Sequence, residues 1–219
     1  MKCLIIGAKA DGHAKVVLEV LRAAGDHEVV GFVDDDLEKR SLMINGVPVV
    51  GSMKDIPTLR RSLGIEGAIV AIGDNPRRRA LGQQLKSDGL RLINAIHPSV
   101  VRDPDVRIGA GCYIGQGVIL VTGTTVGDSV NIHTGATIDH DNVIEDGANL
   151  GPGVHTAGRV RIEQDAFLGT GTLLIPDASV GRGAICGAGT VVLGRVEPFT
   201  KVVGAPPRVI EQFNETKDL

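Results

Sequence analysis

The chain has 219 residues, with Lys+Arg 23 against Asp+Glu 26 and a formal net charge of −3. That balance offers no basic field for nucleic acid, and 22% charged with 42% hydrophobic residues excludes a disordered chain. Three scattered cysteines (Cys3, Cys112, Cys186) make neither a disulfide framework nor a zinc cluster, and no apolar run reaches the ~18 residues of a membrane span.

The opening segment, MKCLIIGAKADGHAK, has only a short apolar run and no signal-peptide pattern, so a soluble cytoplasmic protein is expected. Residues 1–95 then alternate between strand and helix patterns. KCLIIG reads as a buried strand ending at Gly7, and His13 to Gly25 as an amphipathic helix closed by glycine. EVVGFVDDD is a second strand ending in acids, and GVPVVG a third apolar stretch. Met53 to Leu63 is predicted helical, GAIVAIGDN a strand, and Pro76 to Leu85 a helix with proline near its start. This order predicts a small Rossmann-like parallel α/β domain, which binds ligands at its strand ends.

Three such strand ends carry polar residues. The loop Gly7-Ala8-Lys9-Ala10-Asp11-Gly12 leads from strand to helix like a phosphate-cradling turn. It is not a full G-x-G-x-x-G, and it reads equally as a plain β-α turn. Asp34-Asp35-Asp36 can hydrogen-bond a ribose or base, or form a solvated acidic turn. Asp74-Asn75 adds polar groups on the same sheet edge. His97-Pro98 and Asp103-Pro104 then break regular structure near the domain boundary.

The second domain, 96–219, has its own period. Stepping by six from Ile108 to Val192 meets aliphatic residues at every position except Thr156 and Cys186, which are small. Four residues after each is a small or β-branched residue; only Asn142 departs. Many of these hexads carry a glycine directly after the aliphatic residue. Period six fits neither a helix nor a strand alone. It fits short strands joined by sharp corners, three hexads making one triangular coil of 18 residues. Glycines near the corners are expected to supply positive φ. A narrow prism also explains the composition: Gly is 30, aromatic residues are 2%, and there is no Trp.

Three of the six histidines fall in this repeat: His133, His140 and His155. Their spacing, with no thiols nearby, does not suit a metal site. His140 sits between Asp139 and Asp141. A carboxylate can orient an imidazole as a general base, but direct contact with Asp141 requires the corner to bend. The other reading is a solvated surface histidine. Cys112 and Cys186 occupy inward positions and are expected to be inert.

The hexads resemble those of left-handed β-helix acyltransferases. I-I-G-A…G-H-A-K-V-V, F-V-D-D, I-G-D-N, I-D-H-D and V-G-A-P-P-R together resemble the nucleotide-sugar acetyltransferases of bacillosamine, perosamine and sialic-acid pathways. The resemblance implies a left-handed parallel β-helix and a homotrimer, with acetyl-CoA between neighbouring prisms and the nucleotide-sugar held by the α/β domain. By resemblance His140 is the general base and Asp141 its acid partner. Gly12 and His13 match the sugar-nucleotide loop, Asp34 and Asp35 the acidic strand end, and Asn75 lies on the same edge. Acetyl-CoA contacts carry over to Asn149, Thr170 and Ala188, and no metal is implied. The Lys9–Asp11 insertion makes the first loop about two residues longer than the G-A-G-G-H-A-K of relatives, which bears on sugar and nucleotide specificity.

The implied reaction is direct attack of a sugar amine on the thioester, without an acyl-enzyme. Two other readings are O-acetylation of sialic acid or a related hydroxyl, and a non-catalytic nucleotide-sugar-binding β-helix. A γ-class carbonic anhydrase shares the β-helix but needs zinc on three histidines; the α/β domain in front speaks against it.

Overall fold

The computed structural model describes residues 1–9 and 12–214, the side chain of Leu37 excepted, in two units, Met1–Pro98 and Ser99–Leu219. In the first unit, strand β1 (Lys2–Ile6) buries Cys3, Leu4, Ile5 and Ile6 in succession. A parallel strand covered on both faces has that continuous apolar pattern. Helix α1 (His13–Ala24) buries Ala14, Val17, Leu18, Val20 and Leu21 on one face. It ends at Gly25, whose φ of 74° lets its N–H reach the Leu21 carbonyl at 3.0 Å.

Strand β2 (Glu28–Val33) is followed by a hairpin of β3 (Met43–Ile44) and β4 (Val47–Gly51). Asn45 and Gly46, both at positive φ, make the tight turn between them. The helix expected over Met53–Leu63 is split into a 3₁₀ turn, Met53–Asp55, and helix α2 (Ile56–Leu63). Pro57 accounts for the split, because it lacks the N–H that a continuous helix would need there. Strand β5 (Gly67–Val70), helix α3 (Asn75–Ser87) and strand β6 (Arg91–Leu92) complete the unit. The sheet order is β3-β4-β2-β1-β5-β6, parallel except for the hairpin. The chain leaves β1 toward β2 on one side and returns to β5 on the other, which opens a crevice beyond their C-terminal ends.

The second unit is a left-handed parallel β-helix with three flat faces. Face one stacks Tyr113–Ile114, Asn131–Ile132, Asn149–Leu150, Phe167–Leu168 and Ile185–Cys186. Face two stacks Val101–Arg102, Ile119–Leu120, Thr137–Ile138, His155–Thr156, Leu173–Leu174 and Val191–Val192. Face three runs from Arg107–Ile108 through Val143–Ile144 to Arg195–Val196. From Ile114 to Val192 every aliphatic position of the repeat is buried, with Thr156 and Cys186 among them. The position four residues later is buried too, from Cys112 to Val196. Two inward side chains per hexad therefore fill the prism. At the far end Arg208–Gln212 adds an antiparallel strand to Thr200–Val203.

Corner glycines supply positive φ as expected, and five corners of the repeat use other residues. Positive φ falls three residues after the aliphatic position, as at Gly111, Gly117 and Gly135, and also at Ser129, Asp141, Arg159, Asp165 and Asp177. The glycines directly after the aliphatic residue serve packing instead. A Cβ at Gly169, for example, would stand 2.7 Å from the Ala188 amide nitrogen on the next coil.

Leu150 is fully buried in the middle of the prism. Leu150→Ala is expected to cost about 2–5 kcal/mol in chemical denaturation. A loss well under about 1 kcal/mol would contradict this packing.

Candidate functional site

The crevice at the C-terminal ends of β1, β2 and β5 encloses about 260 Å³. Gly7 and Ala8 line it from β1, Asp34 and Asp35 from β2, and Ile72 and Gly73 from β5. Gly7, at φ 100°, has no room for a side chain: a Cβ would lie 2.8 Å from Ile72 Cγ2. His13 lines the same crevice from the first turn of α1, where helix N–H groups favour an anion. Gly12 is the extended residue that caps this helix. Ala10 and Asp11 of the expected loop lie outside the described residues.

The acidic strand end is already engaged by the chain itself. Asp34 Oδ2 accepts from the Ala8 amide at 2.7 Å and from Lys39 Nζ at 3.0 Å, and Oδ1 accepts from the Asp36 amide at 3.0 Å. Burial pushes the Asp34 carboxyl up, but these amides and the Lys39 ammonium outweigh it and hold it below the usual carboxylate range. Lys39 is raised in turn, chiefly by its hydrogen bond to Asp34. Asp35 Oδ1 accepts from the Met53 amide at 3.0 Å. Asp34 thus ties the loop after β1 to the loop after β2. Asn75 is buried beneath the crevice surface, with Oδ1 accepting from Arg78 Nη1 at 2.9 Å, and is not among the crevice-lining residues.

Lys9 of the expected loop lines this crevice, and so do two cations that sequence reasoning missed, Lys39 and Arg77. A signal was available. Arg77, Arg78 and Arg79 crowd the first turns of α3, where the helix dipole disfavours positive charge. Arginines at that end point to an anionic partner or a buried contact. Arg78 makes the buried contact, with Nη1 3.1 Å from the Ile72 carbonyl oxygen.

The β-helix carries the second candidate group. His140 and Asp141 turn the corner from face two to face three. Asp141 has φ 58°, which bends the corner enough for adjacent side chains to meet. His140 Nδ1 donates to Asp141 Oδ2 at 2.8 Å. This leaves Nε2 as the acceptor nitrogen. The pair is open to solvent, at 41% and 60% side-chain exposure, so a substrate can reach it. One coil further on, the ring lies against Gly158, where any Cβ would collide with Nε2. Above Asp141, Arg159 is pinned to Asp177 by bonds of 2.7 and 2.9 Å.

The other residues singled out lie elsewhere on the prism. Thr170 and Ala188 are exposed, one coil apart, on the corner between faces one and two. Asn149 is on face one, 5% exposed, and its buried Oδ1 has no hydrogen-bond partner among the described residues. A single chain therefore does not bring these three to His140. The histidines are also dispersed. His133 packs on Tyr113 beside face one, with ring centroids 5.3 Å apart, and His155 Nδ1 lies 2.7 Å from Thr137 Oγ1 on face two. Among the described residues, no group of three or more His, Cys, Asp and Glu is placed to hold a metal ion. No described helix is long and apolar enough to cross a membrane.

Comparison with known proteins covers both units. Residues 2–85 match the PglD N-terminal domain family. A histidine-to-asparagine variant of perosamine N-acetyltransferase from Caulobacter crescentus, in complex with CoA and GDP-perosamine, is 39% identical over 97% of this chain and 98% of that one, with TM-score 0.91. The acetyltransferase domain of PglB from Neisseria gonorrhoeae FA1090, in complex with acetyl coenzyme A, is 31% identical over 95% of this chain and 98% of that one, with TM-score 0.86. Serine acetyltransferase of Buchnera aphidicola subsp. Schizaphis graminum is 32% identical over 118 residues, and the chain spans 44% of that relative's length.

Two predictions follow from the geometry. Asp34 is held below its unfolded value, so its stabilising effect is full above about pH 4 and is lost as pH falls through the lower folded value. Asp34→Asn should therefore lower the melting temperature at pH 7, with the gap to the parent closing in strong acid; a gap that widens in acid would contradict the assignment. Gly158→Ala should displace the His140 ring and shift its imidazole ¹⁵N resonances with little loss of stability. Unchanged resonances would show that the ring does not rest there.

Proposed function

The chain belongs to the hexapeptide-repeat nucleotide-sugar acetyltransferases, and from that premise we propose that it N-acetylates the amine of a nucleotide-linked amino sugar with acetyl-CoA. The observation that carries this reading is the exposed His140–Asp141 pair, bonded at 2.8 Å with Nε2 left free. The cations Lys9, Lys39 and Arg77 in the crevice suit a nucleoside diphosphate. GDP-perosamine, bound by the Caulobacter relative, is the first acceptor to test.

The chemistry asks little of the protein. Acetyl-CoA supplies the acyl group as a thioester. The neutral amine attacks the carbonyl carbon, a C–N bond forms, and the C–S bond breaks. His140 Nε2 takes the proton from nitrogen as the bond forms and passes it to the departing thiolate. Asp141 fixes the tautomer and stabilises the charged ring during that interval. Holding both substrates together replaces a bimolecular collision with an oriented attack. No nucleophilic side chain is required. Burial pushes the Cys186 thiol up to about 12 and the Cys3 thiol up to about 11, so neither is an available thiolate.

We assign acetyl-CoA to the side of the prism bearing Asn149, Thr170 and Ala188. Because Asn149 lies on face one and Thr170 and Ala188 at the far edge of face two from His140, the reading calls for a neighbouring copy. Face two supports that assembly. Val101, Ile119, Leu173, Ile175 and Leu193 expose apolar side chains along it, beside the strand that leads to His140. Exposed apolar side chains at both ends of one flat face, on either side of Thr137 and His155, suit an interaction site. A homotrimer with its sites between subunits satisfies both observations.

Light scattering should give a mass about three times the 22.9 kDa chain, reduced by the double variant Leu173→Glu, Ile175→Glu. A monomeric parent would overturn the assembly. A thiol-release assay with acetyl-CoA and GDP-perosamine should show His140→Ala lowering kcat by ~10²-fold or more in an intact trimer. Unchanged turnover would remove His140 from the mechanism. Release only with CMP-sialic acid or another hydroxyl acceptor would replace the amine by a hydroxyl.

A further inference from the structure

The interior of the prism holds one residue that its packing does not explain. Along the inward position four residues after each aliphatic, the chain places Ala, Val, Thr or Cys, all buried. Asn142 alone puts a carboxamide there, at 0% exposure. Its Nδ2 donates to three carbonyl oxygens: Asp139 at 2.7 Å, His140 at 3.1 Å and Ala157 at 3.0 Å. Its Oδ1 is buried without a hydrogen-bond partner among the described residues. An amide with one end orphaned is a costly way to fill a site that alanine or valine fills elsewhere.

The three carbonyls share a location. Two belong to the corner that presents His140, and the third to the strand end just before Gly158, on which the His140 ring rests. Asp139 is also held by Thr124 Oγ1 from the preceding coil, at 3.0 Å on the same carbonyl. At His133 and Glu145 that carbonyl is closed by a backbone amide, from Ala136 at 3.2 Å and Ala148 at 3.3 Å, and at Gly169 and Gly187 an interior threonine hydroxyl joins the amide. At Asp139 two interior side chains, Asn142 and Thr124, close it, and Asn142 also reaches the His140 carbonyl and that of Ala157 on the coil above. Hydrogen bonds in so dry a place are strong and directional.

We infer that Asn142 is a positioning residue: from within the prism it locks the corner backbone so that His140 meets Asp141 on one side and Gly158 on the other. It touches no substrate. Its cost is borne at the one corner where a displacement of the ring by a fraction of an ångström matters for proton transfer. This inference rests on the acetyltransferase reading above for its rate prediction, and on geometry alone for its structural one.

Asn142→Ala gives the residue type of the adjoining hexads, Ala136 and Ala148, and removes the orphaned oxygen. It also removes three hydrogen bonds, so a modest fall in melting temperature is expected, and it should lower kcat by ~10- to 100-fold with each KM within about twofold. In a His140→Ala background the same change should have no further effect, because its action passes through that ring. Asn142→Thr should recover part of the loss. Threonine already occupies this position at 172 and 190, where its hydroxyl bonds the carbonyl three residues back at 2.7 Å, so this variant carries the test should the alanine variant not fold. Unchanged kcat, or a further fall on top of His140→Ala, would overturn the inference. A parent inactive with every nucleotide-sugar would instead remove the transferase reading. The crystal structure of Asn142→Ala then decides: a broken His140–Asp141 bond supports the clamp, and an unmoved corner overturns it.

Discussion

A coil that stacks on itself every 18 residues allows little freedom at any position. Ile114 faces Ile132 and Asn131 faces Asn149, in parallel register, with no helix or loop to absorb a mismatch. Each hexad must supply two inward side chains of the right volume and one residue able to take positive φ. This constraint explains the aliphatic core, the scarcity of rings and the abundance of glycine together. It also gives the prism a rigid surface, because close-packed interiors deform little.

Function enters where the repeat is broken. Positive φ recurs at every corner from Gly111 to Gly189 and is taken by other non-glycine residues too, but at Asp141 it brings a carboxylate round to a preceding imidazole, the histidine being the departure from the repeat. The same corner has a carboxamide beneath it and a glycine beside it. Each departure carries some cost in packing or backbone energy. Carboxylate, carboxamide and glycine converge on one ring, which otherwise would be a surface histidine of no special orientation. The N-terminal unit follows another rule. Its crevice arises from strand order, and its lining comes from loops that the strand ends hold in place.

The fold was legible because its signals are repetitive. The six-residue step from Ile108 to Val192 has few physical solutions, and the strands of the first unit are continuous apolar runs. Local exceptions were harder to read. The Asn45-Gly46 turn marks a hairpin by its composition, but GVPVVG drew attention as an isolated strand. Pro57 splits a helix that periodicity alone draws as continuous. The glycines that often follow the aliphatic residue have a reason invisible in a linear sequence, the coil spacing that excludes a side chain there. In the site, Asp34 looked like a free ligand for a ribose because the reach of the Ala8 amide and Lys39 across two loops cannot be seen in one dimension. Lys39 and Arg77 were missed for the same reason.

The account turns on one proton moving from a sugar nitrogen to His140. The most direct measurement is a crystal structure of the assembled protein with CoA and GDP-perosamine bound. The account predicts the sugar nitrogen within hydrogen-bond reach, about 3 Å, of His140 Nε2, with the thiol beside that nitrogen and on the same side as the imidazole, where the ring can reach it. A sugar amine bound away from this imidazole, with Nε2 open to bulk water, would contradict it.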